Sequence, residues 1–219
     1  MQALAIIFDL DGTLLDTLDD IADSMNAALS TCGFPLHPVG AYRDFIGEGL
    51  DTLVRRALPE PHRDPETVQR CLQQMRHVYG SNYAVKTRPY PGIDLLLTEL
   101  RQRNIKLAVL SNKLDEFTRI MINKYFPAHH FESVWGARVD VPIKPDPAAA
   151  LSIAADLQLA PGQIIFAGDS LIDIQTARNA GNIPAACLWG YTSAAVLRAA
   201  GVNILLEKPV DLLNYINIV

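Results

Sequence analysis

Short runs of apolar residues alternate with longer segments of helical periodicity along the chain. This alternation is typical of βαβ units, in which buried parallel strands are joined by helices. Two helix ends carry signals of their own: Asp146 stands before Pro147 as an N-cap would, and the segment from Ser170 to Ala180 stops at Gly181. The pattern predicts an α/β fold with a mostly parallel sheet flanked by helices. The predicted strands are Leu4–Phe8, Ile105–Leu110, Ser133–Gly136, Ile164–Ala167, Ala185–Trp189 and Ile204–Leu206.

The gap between the first two predicted strands is much longer than one connecting helix, since a βαβ unit needs only about 30 residues. The residues that fill this gap have helical periodicity, and a second helical pattern runs from Pro65 to Tyr83. We therefore expect a helical cap, residues 16–85, inserted after the first strand of an α/β core formed by residues 1–15 and 86–219. The first helical pattern places on one face Leu18, Ile21, Met25, Ala28 and Leu29.

Composition and charge narrow the class of protein. Hydrophobic residues make up 49% of the 219 positions and charged residues 20%, which is usual for a globular chain. The net charge of −5 argues against a nucleic-acid or membrane partner, because phosphates attract a basic surface. No apolar run approaches the ~18 residues of a membrane span, and the N-terminus lacks the basic region of a signal peptide. Three separated cysteines without a C-x-x-C pair favour a reducing, cytoplasmic location.

Polar segments follow three of the predicted strands. Asp9–Thr13 comes after the first strand, Ser111–Lys113 after the second and Gly168–Asp173 after the fourth. Ligands of parallel α/β sheets bind outside the carboxyl ends of the strands. These segments are therefore the candidate site.

Four aspartates lie within these segments. Asp9 and Asp11 are two residues apart on an extended segment, which points both side chains the same way. Asp169 and Asp173 are four apart at a predicted helix start, which places both on one face. If all four converge, each pair of charges ~4 Å apart costs ~4 kcal/mol at an effective dielectric constant of ~20. A cation must then lie among them, and carboxylate oxygens without histidine or cysteine neighbours favour Mg²⁺.

The remaining groups are donors. Ser111 offers a hydroxyl, and the amides around Asn112 face an anion if a helix over Asp115–Tyr125 begins soon after them. Together with the compact charge of Lys144, these groups suit phosphoryl transfer, which needs positioning and charge neutralisation. Plainer interpretations also fit: Ser111 as a helix N-cap, Lys144 as a solvated surface residue and Asp173 as an acid in the first turn of a helix.

The segments resemble, in order and spacing, the four motifs of the haloacid dehalogenase-like hydrolase superfamily, which here are Asp9–Thr13, Ser111, Lys144 and Gly168–Asp173. The resemblance covers nearly the whole chain and implies a Rossmann-like core with a helical cap. A narrower likeness to bacterial phosphoglycolate phosphatases rests on Gly47–Leu50, Arg55–Leu58 and Ser111–Lys113. Glu48 departs from the pattern of that group.

The resemblance implies a role for each motif residue. Asp9 would be the nucleophile that forms an aspartyl-phosphate, and Asp11 would protonate the leaving oxygen and later activate water. Ser111 and the Asn112 amide would hold the phosphoryl oxygens. Lys144 would bridge Asp9 and the phosphate.

The same resemblance implies a Mg²⁺ site formed by Asp9, the main-chain carbonyl of Asp11, and Asp169. Asp173 would tune this site from just behind it. Gly12 and Thr13 would shape the turn that leads into the cap.

Candidates for substrate specificity are Gly47, Glu48, Gly49 and Lys113. Contacts of Glu48 and Lys113 with the distal group of the substrate are one interpretation, and solvent-facing positions are the other. The two glycines also fit a simple turn in the cap. We interpret Trp189–Tyr191, which follows a predicted strand, as core or loop packing.

The sequence thus predicts a Mg²⁺-dependent phosphomonoesterase that acts on a small phosphorylated metabolite, with 2-phosphoglycolate as the preferred substrate. A β-phosphoglucomutase-like mutase or a pyrophosphatase of the same superfamily would carry the same four motifs. An alternative of another class is a receiver-like signalling module that accepts a phosphoryl group. Such a module needs no inserted cap, and an acid two residues after the nucleophile favours hydrolysis over a lasting phosphorylated state.

Overall fold

The computed structural model describes residues 3–216, so residues 1–2 and 217–219 of the predicted core lie outside the described residues. The described chain forms two compact units. One contains the residues up to Leu15 and those from Pro89 onward, and the other is Asp16–Arg88. Among residues 3–216, no helix combines the length and the apolar character that a membrane span requires.

Strands and helices alternate along the chain. The strands are β1 (Ala5–Phe8), β2 (Leu15–Asp16), β3 (Arg88–Pro89), β4 (Lys106–Leu114), β5 (Ser133–Ala137), β6 (Ile164–Gly168), β7 (Ile183–Cys187) and β8 (Ile204–Leu206). The α-helices are α1 (Leu18–Cys32), α2 (Gly49–Ala57), α3 (Pro65–Asn82), α4 (Ile93–Gln102), α5 (Asp115–Tyr125), α6 (Ala148–Asp156), α7 (Leu171–Ala180) and α8 (Ala194–Ala199). Short 3₁₀ helices cover Val39–Asp44, Glu60–His62, Pro161–Gln163 and Pro209–Tyr215.

Six strands form one parallel sheet in the order β5-β4-β1-β6-β7-β8. The strand β1 is buried along its whole length, and its Ile7 lies between Ala108 of β4 and Phe166 of β6. Helices α6 and α7 cover one face of the sheet, where Ala150 and Ala177 pack against the strands. The predicted fold class, a mostly parallel sheet flanked by helices, is confirmed.

The strand order reverses beside β1. From β1 the chain continues to β4 and β5 on one side, and then returns to the other side of β1 with β6, β7 and β8. Helices that follow two neighbouring strands then diverge to opposite sides and leave a crevice at the carboxyl ends of these strands. The fold therefore places the candidate site at the ends of β1, β4 and β6.

Two strands differ from the sequence prediction by more than one residue at an end. The apolar run ends at Leu110, but β4 continues to Leu114 because the backbone pairing with β5 resumes after a register irregularity. The prediction of Ala185–Trp189 is wrong at both ends, since β7 begins at Ile183 and ends at Cys187. Backbone pairing with β6 defines the start of β7, and a turn defines its end.

One of the two predicted helix ends is confirmed. Helix α7 has Ser170 as its N-cap, whose side chain accepts a backbone N–H bond, and it ends at Gly181 with φ 74°. The N-cap prediction at Asp146 is wrong, because α6 begins at Ala148 with Pro147 in the N-cap position. The Asp146 carboxylate accepts the N–H of Ala148 at 2.8 Å, and so caps the helix from one residue further out.

The unit Asp16–Arg88 contains α1, α2 and α3. All five residues predicted to form the apolar face of α1 are buried, and α3 ends one residue before the predicted limit at Tyr83. The buried Asp20 of α1 accepts the N–H groups of residues 85–87 and the hydroxyl of Thr87, at 2.7–3.0 Å. The Asp20 carboxylate thus links residues 85–87 to α1.

Candidate active site

Asp9 and Asp169 follow two strands that pair with each other, β1 and β6. Phe8 lies opposite Ala167, and the N–H of Asp9 donates to the carbonyl of Ala167 at 2.9 Å. Asp173, in the first turn of α7, joins them. One carboxylate oxygen of each of the three aspartates lies within 4.8 Å of the others, and all three residues are buried.

Lys144 lies inside this acidic cluster. Its Nζ is 2.9 Å from Asp9 Oδ1 and 2.6 Å from Asp173 Oδ1, and its side chain is 2% exposed. Asn112 holds the Lys144 backbone from both sides, because its Nδ2 donates to the Lys144 carbonyl at 3.0 Å and its Oδ1 accepts the Lys144 N–H at 2.8 Å. The Asn112 side chain therefore positions the lysine.

Hydrogen bonds orient the other two carboxylates. The Thr13 hydroxyl donates to Asp169 Oδ1 at 2.9 Å, and the N–H of Tyr191 donates to Asp169 Oδ2 at 2.7 Å. The N–H and the hydroxyl of Ser170 both donate to Asp173 Oδ2, at 3.0 and 2.6 Å. These bonds fix the orientation of the Asp169 and Asp173 carboxylates.

Two glycines make room for Asp169. A Cβ at Gly12, whose φ is 85°, would lie 2.4 Å from Asp169 Oδ2, and a Cβ at Gly190 would lie 2.3 Å from the Asp169 Cβ. Real atoms do not approach so closely without displacement of one of them. Glycine is therefore required at both positions if Asp169 is to keep its place.

Burial and mutual repulsion shift the ionisation of the cluster. Burial and the Asp173 carboxylate raise the pKa of Asp9 to about 7, although the Lys144 ammonium opposes this shift. Burial and the carboxylates of Asp173 and Asp9 raise the pKa of Asp169 to about 8. Burial favours the neutral amine of Lys144, but Asp173 and Asp9 outweigh burial and hold the Lys144 pKa above its ordinary value.

The donor set fits a divalent cation. The cluster contains three carboxylates and one ammonium, so it carries an excess of negative charge when ionised. The side chains of the cluster offer carboxylate oxygens, which hard cations prefer. A divalent cation among them would offset the excess charge and lower the raised pKa values.

Asp11 lies outside this cluster. Three of the four aspartates converge, whereas both carboxylate oxygens of Asp11 lie 3.0 Å from the Nζ of Lys113. The strand β1 ends at Phe8, and Gly12 turns the chain, so the alternation of an extended strand does not continue through Asp11. Asp9 and Asp11 consequently contact different lysines.

Comparison with known proteins identifies the family. The family model for haloacid dehalogenase-like hydrolases matches residues 6–186. The chain belongs to this family. Phosphoglycolate phosphatases of Psychrobacter arcticus and Vibrio cholerae are 33% and 34% identical to it, over 90% and 87% of this chain and 89% and 87% of their own. These relatives confirm the predicted phosphatase class.

Solved structures of this hydrolase family have the same fold. A protein from Lactobacillus delbrueckii subsp. bulgaricus superposes with a TM-score of 0.93 at 30% identity and covers 99% of both chains. A haloacid dehalogenase-like family hydrolase from Streptococcus pneumoniae superposes with a TM-score of 0.87 at 26% identity, over 97% of this chain and 98% of its own.

The second motif of this haloacid dehalogenase-like hydrolase lies within β4. Ser111 is buried, and its hydroxyl accepts the N–H of Lys113 at 3.3 Å. The alternative interpretation of Ser111 as a helix N-cap is wrong, because α5 begins at Asp115 and Leu114 occupies the N-cap position. The predicted helix over Asp115–Tyr125 is itself confirmed.

The predicted specificity residues occupy different surroundings. Gly47 and Gly49 have φ values of 118° and 82°, so both need the conformational freedom of glycine. Glu48 is in the N-cap position of α2, and its carboxylate pairs with Arg56 of the same helix. Lys113, the fourth candidate, pairs with Asp11.

Several contacts in the site escaped the sequence interpretation. The segment Trp189–Tyr191 does more than pack, since the Tyr191 N–H holds Asp169 and the Trp189 Nε1 donates to the Thr13 carbonyl at 3.0 Å. The sequence predicts that a helix starts at Ser170, but it does not predict the bonds of Ser170 to the Asp173 carboxylate. Gly190, a glycine just beyond a buried strand, is the sequence feature that could have indicated a close contact in this segment.

Proposed function

We propose that this chain is a Mg²⁺-dependent phosphomonoesterase that hydrolyses a small phosphorylated metabolite through an aspartyl-phosphate on Asp9. The observation that carries the proposal is the contact of Asp9 with Lys144 inside a buried cluster that includes Asp169 and Asp173. A buried carboxylate beside an ammonium and a cation-binding donor set is suited to attack on a phosphate, since both positive charges offset the repulsion between the two anions.

The proposed chemistry has two steps. Asp9 attacks phosphorus, the bond to the ester oxygen breaks, and Asp11 gives that oxygen its proton. Asp11, now a carboxylate, then takes a proton from water as the water oxygen attacks phosphorus. The bond to Asp9 breaks, phosphate leaves, and both aspartates return to their starting state.

Other residues would bind and orient the phosphate. The Ser111 hydroxyl and the Asn112 N–H would donate to its oxygens, and Lys144 would contact both the phosphate and Asp9. Asp9, the Asp11 carbonyl and Asp169 would hold Mg²⁺, which supplies positive charge against the transferring phosphoryl group.

Asp173 would act on this machinery from behind, through Lys144. Its carboxylate holds the ammonium at 2.6 Å and is itself held by Ser170. In the turn after Asp11, Gly12 would leave space for the Asp169 side chain, and the Thr13 hydroxyl would donate to its carboxylate.

We propose 2-phosphoglycolate as the substrate, on the support of relatives named phosphoglycolate phosphatase. In this proposal, residues 16–85 act as the cap that excludes bulk water and supplies specificity contacts through Gly47, Glu48 and Gly49. A small-molecule ester is the only partner that the proposal requires. We also propose a cytoplasmic location, on the support of three cysteines that are far apart in sequence and form no C-x-x-C pair.

The experiment is a measurement of phosphate release with Mg²⁺ from 2-phosphoglycolate, pyrophosphate, β-glucose 1-phosphate and nucleoside monophosphates, with Asp9→Asn as the inactive control. We expect 2-phosphoglycolate to exceed the others by at least ~10–100-fold in kcat/KM, or ~1.4–2.8 kcal/mol of transition-state discrimination. Equal rates across the panel, with an inactive Asp9→Asn control, would refute 2-phosphoglycolate as the substrate. The proposed hydrolysis through Asp9 would still stand. A single phosphorylation without turnover would favour the signalling module.

A further inference from the structure

Lys113 makes a contact that the proposed chemistry does not yet use. Its Nζ lies 3.0 Å from both carboxylate oxygens of Asp11, and the side chains of Lys113 and Asp11 are 7% and 12% exposed. The contact joins the ends of two strands that pair with each other, because Asp11 follows β1 and Lys113 is near the end of β4. It is therefore part of the sheet edge that carries the candidate site.

The contact restrains a side chain that lies in the turn beyond its strand. Asp11 lies three residues beyond the end of β1, and it is followed by Gly12 in a left-handed conformation. An ammonium that bonds both oxygens fixes the position of the carboxylate and the direction in which it points.

The two lysines of the site contact different carboxylates. Lys144 bonds Asp9 and Asp173, whereas Lys113 bonds Asp11. The Asp11 carboxylate thus lies outside the acidic cluster and contacts a lysine of its own.

We infer that Lys113 is a positioning residue that holds the Asp11 carboxylate in the orientation needed for proton transfer. This inference rests on the proposed function, in which Asp11 exchanges a proton with the ester oxygen and with water. It replaces the sequence-based interpretation of Lys113 as a specificity residue. Because proton transfer requires hydrogen-bond reach and alignment, loss of the Lys113 contact should slow both steps for every substrate.

The test compares Lys113→Met, which removes the ammonium, with Lys113→Arg, which retains a cation. Lys124→Met, on the exposed part of α5, is the matched control. Each variant is assayed with 2-phosphoglycolate, which bears a carboxylate, and with an aryl phosphate that has none. We expect Lys113→Met to lower kcat by about 10–100-fold for both substrates with KM within about 2-fold, and Lys113→Arg to restore part of the loss.

A second comparison tests whether Lys113 affects kcat through Asp11. In an Asp11→Asn background, Lys113→Met should cause less than about a 3-fold further loss, because residues that act as a unit are not additive. A selective rise in KM for 2-phosphoglycolate, with an unchanged kcat on the aryl phosphate, would overturn the inference and make Lys113 a specificity residue. A wild-type chain that hydrolyses no phosphate ester would instead refute the proposed function, and the inference with it.

Discussion

The ammonium of Lys144 lies 2.9 Å from the carboxylate of Asp9, and water is nearly excluded from both side chains. A buried ion pair adds little stability compared with an apolar replacement, but removal of one partner leaves an uncompensated charge. The pair is therefore better explained by chemistry than by folding. A carboxylate that must approach a phosphate dianion needs a positive charge beside it.

Replacement of this lysine should affect both activity and stability. We expect Lys144→Met to abolish phosphate release and to lower the free energy of unfolding by about 3–5 kcal/mol at pH 8, because Asp9 and Asp173 are left buried without a cation. Urea denaturation measures the stability, with Lys124→Met as the exposed control. A Lys144→Met chain with the urea midpoint of the wild type would show that the contact is unimportant for the fold.

Gly12 should be intolerant of a side chain for two separable reasons. Gly12→Ala adds strain at φ 85° and a Cβ 2.4 Å from Asp169 Oδ2, whereas Gly201→Ala adds strain at φ 66° in open space. We expect each to cost about 1–2 kcal/mol of stability, since a non-glycine residue disfavours this conformation. Only Gly12→Ala should raise the Mg²⁺ concentration for half-maximal activity, by about 10-fold or more. Equal Mg²⁺ titrations for the two variants would contradict the role of Gly12.

The raised pKa values of Asp9 and Asp169 predict how pH and metal act on stability. In the metal-free protein, Asp9 and Asp169 keep their protons up to pH values of about 7 and 8, whereas an unfolded aspartate releases its proton near 3.8. The folded chain therefore binds more protons in this window, and the free energy of unfolding falls as pH rises through it. Thermal denaturation in EDTA should give a Tm lower by at least about 2–4 °C at pH 8.5 than at pH 6, which corresponds to ~1 kcal/mol for a chain of this size.

Mg²⁺ should reverse this trend. Because the cation competes with protons for the same carboxylates, its stabilising effect should be larger at pH 8.5 than at pH 6. The increase in Tm on addition of Mg²⁺ at the two pH values measures this effect. An equal increase at both would mean that Asp9 and Asp169 do not bind the ion.

The carboxylate of Asp20 should be important for the stability of the unit Asp16–Arg88. Asp20→Ala removes the acceptor for the N–H groups of residues 85–87 and for the Thr87 hydroxyl, so we expect a loss of about 2–4 kcal/mol in the free energy of unfolding. Asp23→Ala is the matched control, because Asp23 pairs with Lys86 at a half-exposed position and should cost less than about 1 kcal/mol. Equal urea midpoints for the two variants would contradict this ranking.

The sequence predicted those features that depend on periodicity and motif order. Buried strands of aliphatic residues and the apolar face of α1 follow from local patterning, and the convergence of Asp9 with Asp169 follows from the meeting of parallel strands at one edge. The pairing of Asp11 with Lys113 did not follow, because it depends on the turn after β1 and on the extension of β4 beyond its apolar run. Contacts across the sheet leave no local pattern.

The same limit explains the missed contacts of the Trp189–Tyr191 segment. Asp169 and Tyr191 are 22 residues apart, and they meet because β6 and β7 are neighbours in the sheet. A backbone N–H carries no residue-type signal, so only the fold identifies Tyr191 as a donor. The hydrogen bonds of Asn112 with the backbone of Lys144 were missed for a related reason, since they join β4 to a distant loop.

The most direct test of the account is the location of a covalent phosphoryl group. Asp11→Asn should form the aspartyl-phosphate and release it slowly, because the base that activates water is missing. Acid quenching after mixing with substrate and Mg²⁺, followed by peptide mass spectrometry, should find one phosphoryl group on Asp9 in Asp11→Asn and none in Asp9→Asn. Turnover that persists in Asp9→Asn, or a phosphoryl group on another residue, would contradict the assignment of Asp9 as the nucleophile.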